Sequence, residues 1–143
     1  MIRIADRRSL IACIVLALAA VAVGARAQKP KEAWEHLQEP AFRSAYLAAL
    51  GPMAKTPWLA KRDGPAPQDK YVTVGGERYV MNAFCKNKDC EANSAVLLYA
   101  PEQKVVYGTV YEKGRTTVIG GPPPGVAVEL ARLWKAEWRT PAK

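Results

Sequence analysis

The chain has 143 residues, with 21 Lys and Arg against 13 Asp and Glu, a formal net charge of +8. That length suits one compact domain and is too short to divide. The basic excess is spread along the chain rather than blocked, which argues against nucleic acid as a partner.

Residues 1–27 read as a secretory signal. Arg3, Arg7 and Arg8 form a positive start, Leu10 to Val23 is an apolar run, and Ala25-Arg26-Ala27 places small residues at a cleavage site before Gln28. The apolar run is too short for a comfortable membrane span, so no integral membrane association is expected. Cys13 falls in the discarded part; its retention as a lipid anchor is the lesser reading. Removal of the leader takes away four arginines and Asp6, leaving 116 residues at +5 with Cys85 and Cys90. An even cysteine count in an oxidising compartment makes a Cys85–Cys90 disulfide the economical inference. The expected location is the periplasm. Nucleic acid is not the partner of such a domain. Acidic surfaces or anionic envelope polymers are the candidate partners, or the lysines and arginines are simply solvated.

Trp34 and Leu37 begin an apolar stripe, and Glu39-Pro40 opens a helix with proline at its first position. Phe42, Tyr46, Ala49 and Leu50 recur at helical spacing up to Gly51-Pro52. His36, the one histidine, reads as a surface residue. Thr56-Pro57 caps a shorter helix through Arg62, stopped at Asp63-Gly64. The pattern then changes to strands. These cover Lys70–Val74, Glu77–Phe84, Asn93–Ala100, Lys104–Tyr111 and Arg115–Ile119, with Gly75-Gly76 marking a tight hairpin. The run Ala95 to Tyr99 reads as covered on both faces. Gly120 to Gly125 is a stiff linker. Val126, Leu130, Leu133 and Trp134 mark a last helix whose other face carries Arg132, Lys135 and Arg139 and reads as solvated. The four tryptophans read as core. Sequential hairpins with helices at both ends predict an α+β domain: a five-stranded antiparallel sheet with helices packed on it.

Between the second and third strands stands Cys85-Lys86-Asn87-Lys88-Asp89-Cys90. A bond between its ends closes the neck of a loop with a charged tip. Asn87 and Asp89 suit a turn. A ring of six residues removes about 2 kcal/mol of unfolded-chain entropy, so it serves loop shape more than global stability. An ordinary hairpin cross-link that binds nothing is the other reading of these residues. A zinc site or redox pair is disfavoured, for want of Cys-x-x-Cys spacing and a nearby histidine. No phosphate loop, metal cluster, cofactor motif or nucleophile beside a base is present in the sequence. A binder or inhibitor is the expectation, rather than an enzyme.

The six-residue loop resembles the signature of the Ivy family, the bacterial inhibitors of vertebrate lysozyme. The layout agrees: a leader, a helix first, five antiparallel strands with the loop after the second, and a late helix. The resemblance implies a periplasmic, non-enzymatic inhibitor of peptidoglycan-cleaving muramidases, with residues 28–143 as its domain. In that family the loop enters the active-site cleft of a c-type lysozyme. A histidine at its fourth position, usually after a proline, meets the catalytic carboxylates. Cys85, Lys86, Asp89 and Cys90 match that pattern, whereas Asn87 and Lys88 stand where proline and histidine do. Lys86, Asn87, Lys88 and Asp89 are then the inhibitory residues, with Lys88 facing carboxylates. Lysine is longer and more strongly hydrated than imidazole, which implies a weakened or retargeted inhibitor. A lytic transglycosylase is the alternative partner to lysozyme. An envelope-binding protein whose loop is only a staple is the third reading. A homodimer is compatible with the sequence.

Overall fold

A computed structural model describes residues 27–141. The leader and Cys13 lie outside the described residues, apart from Ala27. No helix among the described residues is long and apolar enough to cross a membrane.

The helices come first: α1 (Ala33–His36), α2 (Pro40–Leu50), a 3-10 turn (Gly51–Lys55) and α3 (Pro57–Lys61). The strands follow: β1 (Lys70–Val74), β2 (Glu77–Cys85), β3 (Asn93–Ala100), β4 (Val105–Glu112) and β5 (Arg115–Ile119). The last element is α4 (Pro124–Trp138). Proline at the first turn starts α2, α3 and α4, where its missing N–H costs nothing. Gly75 and Gly76 both take positive φ, which a two-residue turn between right-twisted strands needs.

The sheet is a simple antiparallel meander in the order β1-β2-β3-β4-β5. Alternation sorts its side chains into two cores. Val80, Phe84, Ala95, Leu97 and Tyr99 face α1, α2 and α3, while Met81, Ala83, Val96, Leu98 and Ala100 face α4. Helices therefore cover both faces, and every residue of β3 is buried. Each fully buried Leu, Val or Phe in these layers contributes roughly 1.5–3 kcal/mol of burial free energy.

Three details depart from the sequence reading. A separate one-turn helix, α1, precedes α2; Ala33 at its start and Leu37, which caps its end, take the inward positions, leaving Trp34 55% exposed. Trp34 is thus not core. The other tryptophans are half-buried, and each indole N–H has an acceptor: Glu112 for Trp58, Ser94 Oγ for Trp134, and the Ala95 carbonyl for Trp138. His36 is half-buried rather than fully exposed. Its side chain is 15% exposed, edge-on to Tyr71 and 3.4 Å from Glu39. Finally, β4 begins one residue later than expected, because Lys104 takes a left-handed conformation (φ 55°) and closes the turn by donating to the Ala100 carbonyl.

Candidate partner-binding loop

A meander alternates its turns between the two ends of the sheet. The connection from Cys85 to Asn93 and the β4–β5 turn at Lys113-Gly114 therefore share one end, by register. Cys85 is the last residue of β2 and is bonded to Cys90, with Cα atoms 4.9 Å apart. Inside the ring, Asp89 N–H donates to the Lys86 carbonyl at 3.0 Å, which makes a turn centred on Asn87 and Lys88. Lys88 sits at the left-handed position of that turn, with φ 64°. The return arm is fixed at Asn93. Its N–H donates to the Asp89 carbonyl, its amide donates to the Asp89 carboxylate at 2.7 Å, and its carbonyl accepts from Lys86 N–H.

The base is braced from three other parts of the chain. Arg62 takes a left-handed conformation at the end of α3 and turns the chain towards β2. Pro65 then accepts a 3.1 Å hydrogen bond from Cys85 N–H. Here a glycine is required: a Cβ on Gly64 would lie 1.9 Å from the Cys85 carbonyl oxygen. From the β4–β5 turn, Lys113 N–H donates to the Ala92 carbonyl at 2.7 Å. From the end of α4, Arg139 donates to the Glu91 carbonyl at 3.0 Å, with its guanidinium 4.7 Å from the Tyr111 ring centre and 4.6 Å from that of Trp134. Such contacts between a cation and aromatic faces contribute about 0.5–1 kcal/mol each when exposed.

Arg62 also holds the first brace from below. It donates to Asn82 at 2.8 Å, and Asn82 donates to Asp69 at 2.7 Å. The guanidinium lies over Phe42 and Tyr46. Burial lowers its pKa, and burial raises that of Tyr46, whose hydroxyl donates to the Leu59 carbonyl.

The expected site residues thus divide. Lys86, Asn87 and Lys88 are exposed at the tip, and none makes an ion pair or side-chain hydrogen bond among the described residues. Asp89 is half-buried and its carboxylate is committed to Asn93, so it shapes the loop. Cys85 is buried and Cys90 half-buried. The bracing residues Gly64, Pro65, Asn93, Lys113 and Arg139 went unrecognised as site residues in the sequence. Only Asp63-Gly64, a helix stop, and Arg139, a cation at a helix C-terminus, carry even a local signal. No group of side chains suited to a metal ion occurs among the described residues.

Fold and site together define a class: a small α+β domain that carries a short, cystine-closed, basic loop at one end of its sheet. The family model for the inhibitor of vertebrate lysozyme (Ivy) matches residues 41–141, and the chain belongs to that family. The matched span includes the loop and all three braces. An inhibitor of vertebrate lysozyme from Pseudomonas aeruginosa is 24% identical over 85 residues, which cover 59% of this chain and 56% of that protein.

Proposed function

We propose that this protein is a periplasmic inhibitor of peptidoglycan-cleaving muramidases of the c-type lysozyme kind. The loop Lys86–Asp89 enters the active-site cleft, and the Lys88 ammonium meets the catalytic carboxylates. The observation that carries this reading is Lys88, without an ion pair or side-chain hydrogen bond among the described residues, at the tip of a loop whose base is locked on three sides. A loop already held in one shape loses little freedom on docking. An ammonium between carboxylates makes charge-assisted hydrogen bonds, which are about twice as strong as neutral ones. Those bonds have to offset the desolvation of a strongly hydrated cation. Asn87 adds an amide beside it, and Asp89 keeps the turn in register. The family match and the name of the relative support the reading, as does a cystine suited to an oxidising compartment.

Retargeting to a lytic transglycosylase, which also works through a carboxyl group, is the second reading. It is favoured by lysine at the position where the family carries histidine. The test is inhibition of c-type lysozyme by the purified domain. Micromolar or tighter inhibition is expected, and Lys88→Ala should weaken it by roughly 30-fold or more, the range of a central interface residue. No inhibition at micromolar protein defeats the lysozyme reading. An unchanged inhibition constant for Lys88→Ala defeats the role given to the loop.

A further inference from the structure

A groove of about 450 Å³ runs along the loop, between it and α3. Trp58 and Glu112 line it, with the Trp58 indole donating to the Glu112 carboxylate at 3.3 Å. Lys61, Lys86 and Lys113 also line it, all exposed and all outside any ion pair among the described residues. Lys88 belongs to the same loop but does not line the groove, and one exposed carboxylate, Asp63, shares it.

The backbone segments that carry Lys61, Lys86 and Lys113 are tied to one another. The turn carrying Lys113 is bonded through its own N–H to the loop's return arm, and the segment after Lys61 is bonded through Pro65 to the loop's base. Lys113, like Lys88, occupies a left-handed conformation, with φ 46°. A side chain there costs about 1–2 kcal/mol that glycine avoids. Lysines clustered within a screening length reinforce one another's field, and a concave wall focuses it.

We infer that this groove is a second contact surface, which takes an acidic protein segment flanking the catalytic cleft of the target enzyme. The inference rests on the inhibitor reading of the loop. It adds a preference: the loop supplies the plug, and the groove selects enzymes whose cleft rim is acidic over those whose rim is basic. A basic rim would meet the three groove lysines, which have no ion pair among the described residues, and be repelled at low salt.

The probe is a basic c-type lysozyme, in its native form and with the arginines and lysines of its cleft rim exchanged for glutamate. Binding is followed by biolayer interferometry. The parent protein should associate with the glutamate-rimmed probe on the order of tenfold faster than with the native one at low salt. Lys61→Gln with Lys113→Gln should remove that advantage, as should about 1 M salt, where the screening length is about 3 Å. Lys104→Gln with Lys135→Gln, which makes the same change in net charge elsewhere, should leave it intact. If the groove variant associates like the parent while Lys88→Ala weakens binding, the groove inference is overturned and the loop reading stands. If neither probe is bound, or neither variant alters binding, both fall.

Discussion

Lys88 and Lys104 both occupy the left-handed conformation, as Lys113 does, yet the turns that carry these two are built in opposite ways. The β3–β4 turn, ending at Lys104 (φ 55°), is closed by one backbone hydrogen bond, from Lys104 N–H to the Ala100 carbonyl. The β2–β3 connection, with Lys88 at φ 64°, has a cystine, an internal turn bond, the Asp89–Asn93 clasp and braces from Pro65, Lys113 and Arg139. Reversing a strand needs only the first kind of construction. The extra bonds at the second turn fix the backbone of a tip where Lys86, Asn87 and Lys88 make no ion pair or side-chain hydrogen bond among the described residues. A held backbone with uncommitted side chains is what a docking element requires, because ordering it on binding then costs little.

Breaking the cystine tests this contrast most strongly. Cys85→Ser with Cys90→Ser should lower stability by about 2 kcal/mol, seen as a fall in Tm of roughly 8 °C. It should weaken inhibition as well, because the freed ring has more shapes to lose. A variant that melts earlier but inhibits as before would place the cystine with the fold alone. A smaller effect is expected for Gly64→Ala. The added methyl meets the Cys85 carbonyl at 1.9 Å and must push the linker off the loop's base. Such overpacking costs about 1 kcal/mol or more. Hydrogen exchange at the Cys85 amide should quicken, since its bond to Pro65 is the one displaced. An unchanged rate there would show that the brace does not hold the loop.

Much of this architecture is legible in the sequence. The five strands come from alternation and β-branched residues, and the covering of both faces of β3 comes from the unbroken apolar run Ala95 to Tyr99. The cystine follows from an even count of two. The braces are not legible. Pro65 reaches Cys85 across 20 residues and Arg139 reaches Glu91 across 48, and in both pairs the acceptor is a main-chain carbonyl. Every residue has such a carbonyl, so no residue type announces it. Arg139 looked like part of a solvated helix face because the rings it packs on come together only when α4 crosses the sheet. Trp34 failed for a local reason. A one-turn helix has room for one inward row, and Ala33 and Leu37 fill it.

The finest test exchanges Lys88 and Lys104, in turn, for glycine. Relief of left-handed strain contributes about 1 kcal/mol, and the freer unfolded chain takes back roughly 0.4–1 kcal/mol. Lys88→Gly and Lys104→Gly should therefore leave Tm nearly unchanged, and by similar amounts. The two variants also lose the same charge. Long-range electrostatics alone would make them equivalent towards a charged partner at low salt, and the difference between them isolates position. Lys104 lies at the sheet end opposite the loop, so Lys104→Gly should inhibit like the parent. Lys88→Gly should inhibit far less, with the deficit surviving at high salt because a contact inside a cleft is screened little. Equal inhibition by the two variants would mean that the β2–β3 connection is one more turn, however heavily it is tied down.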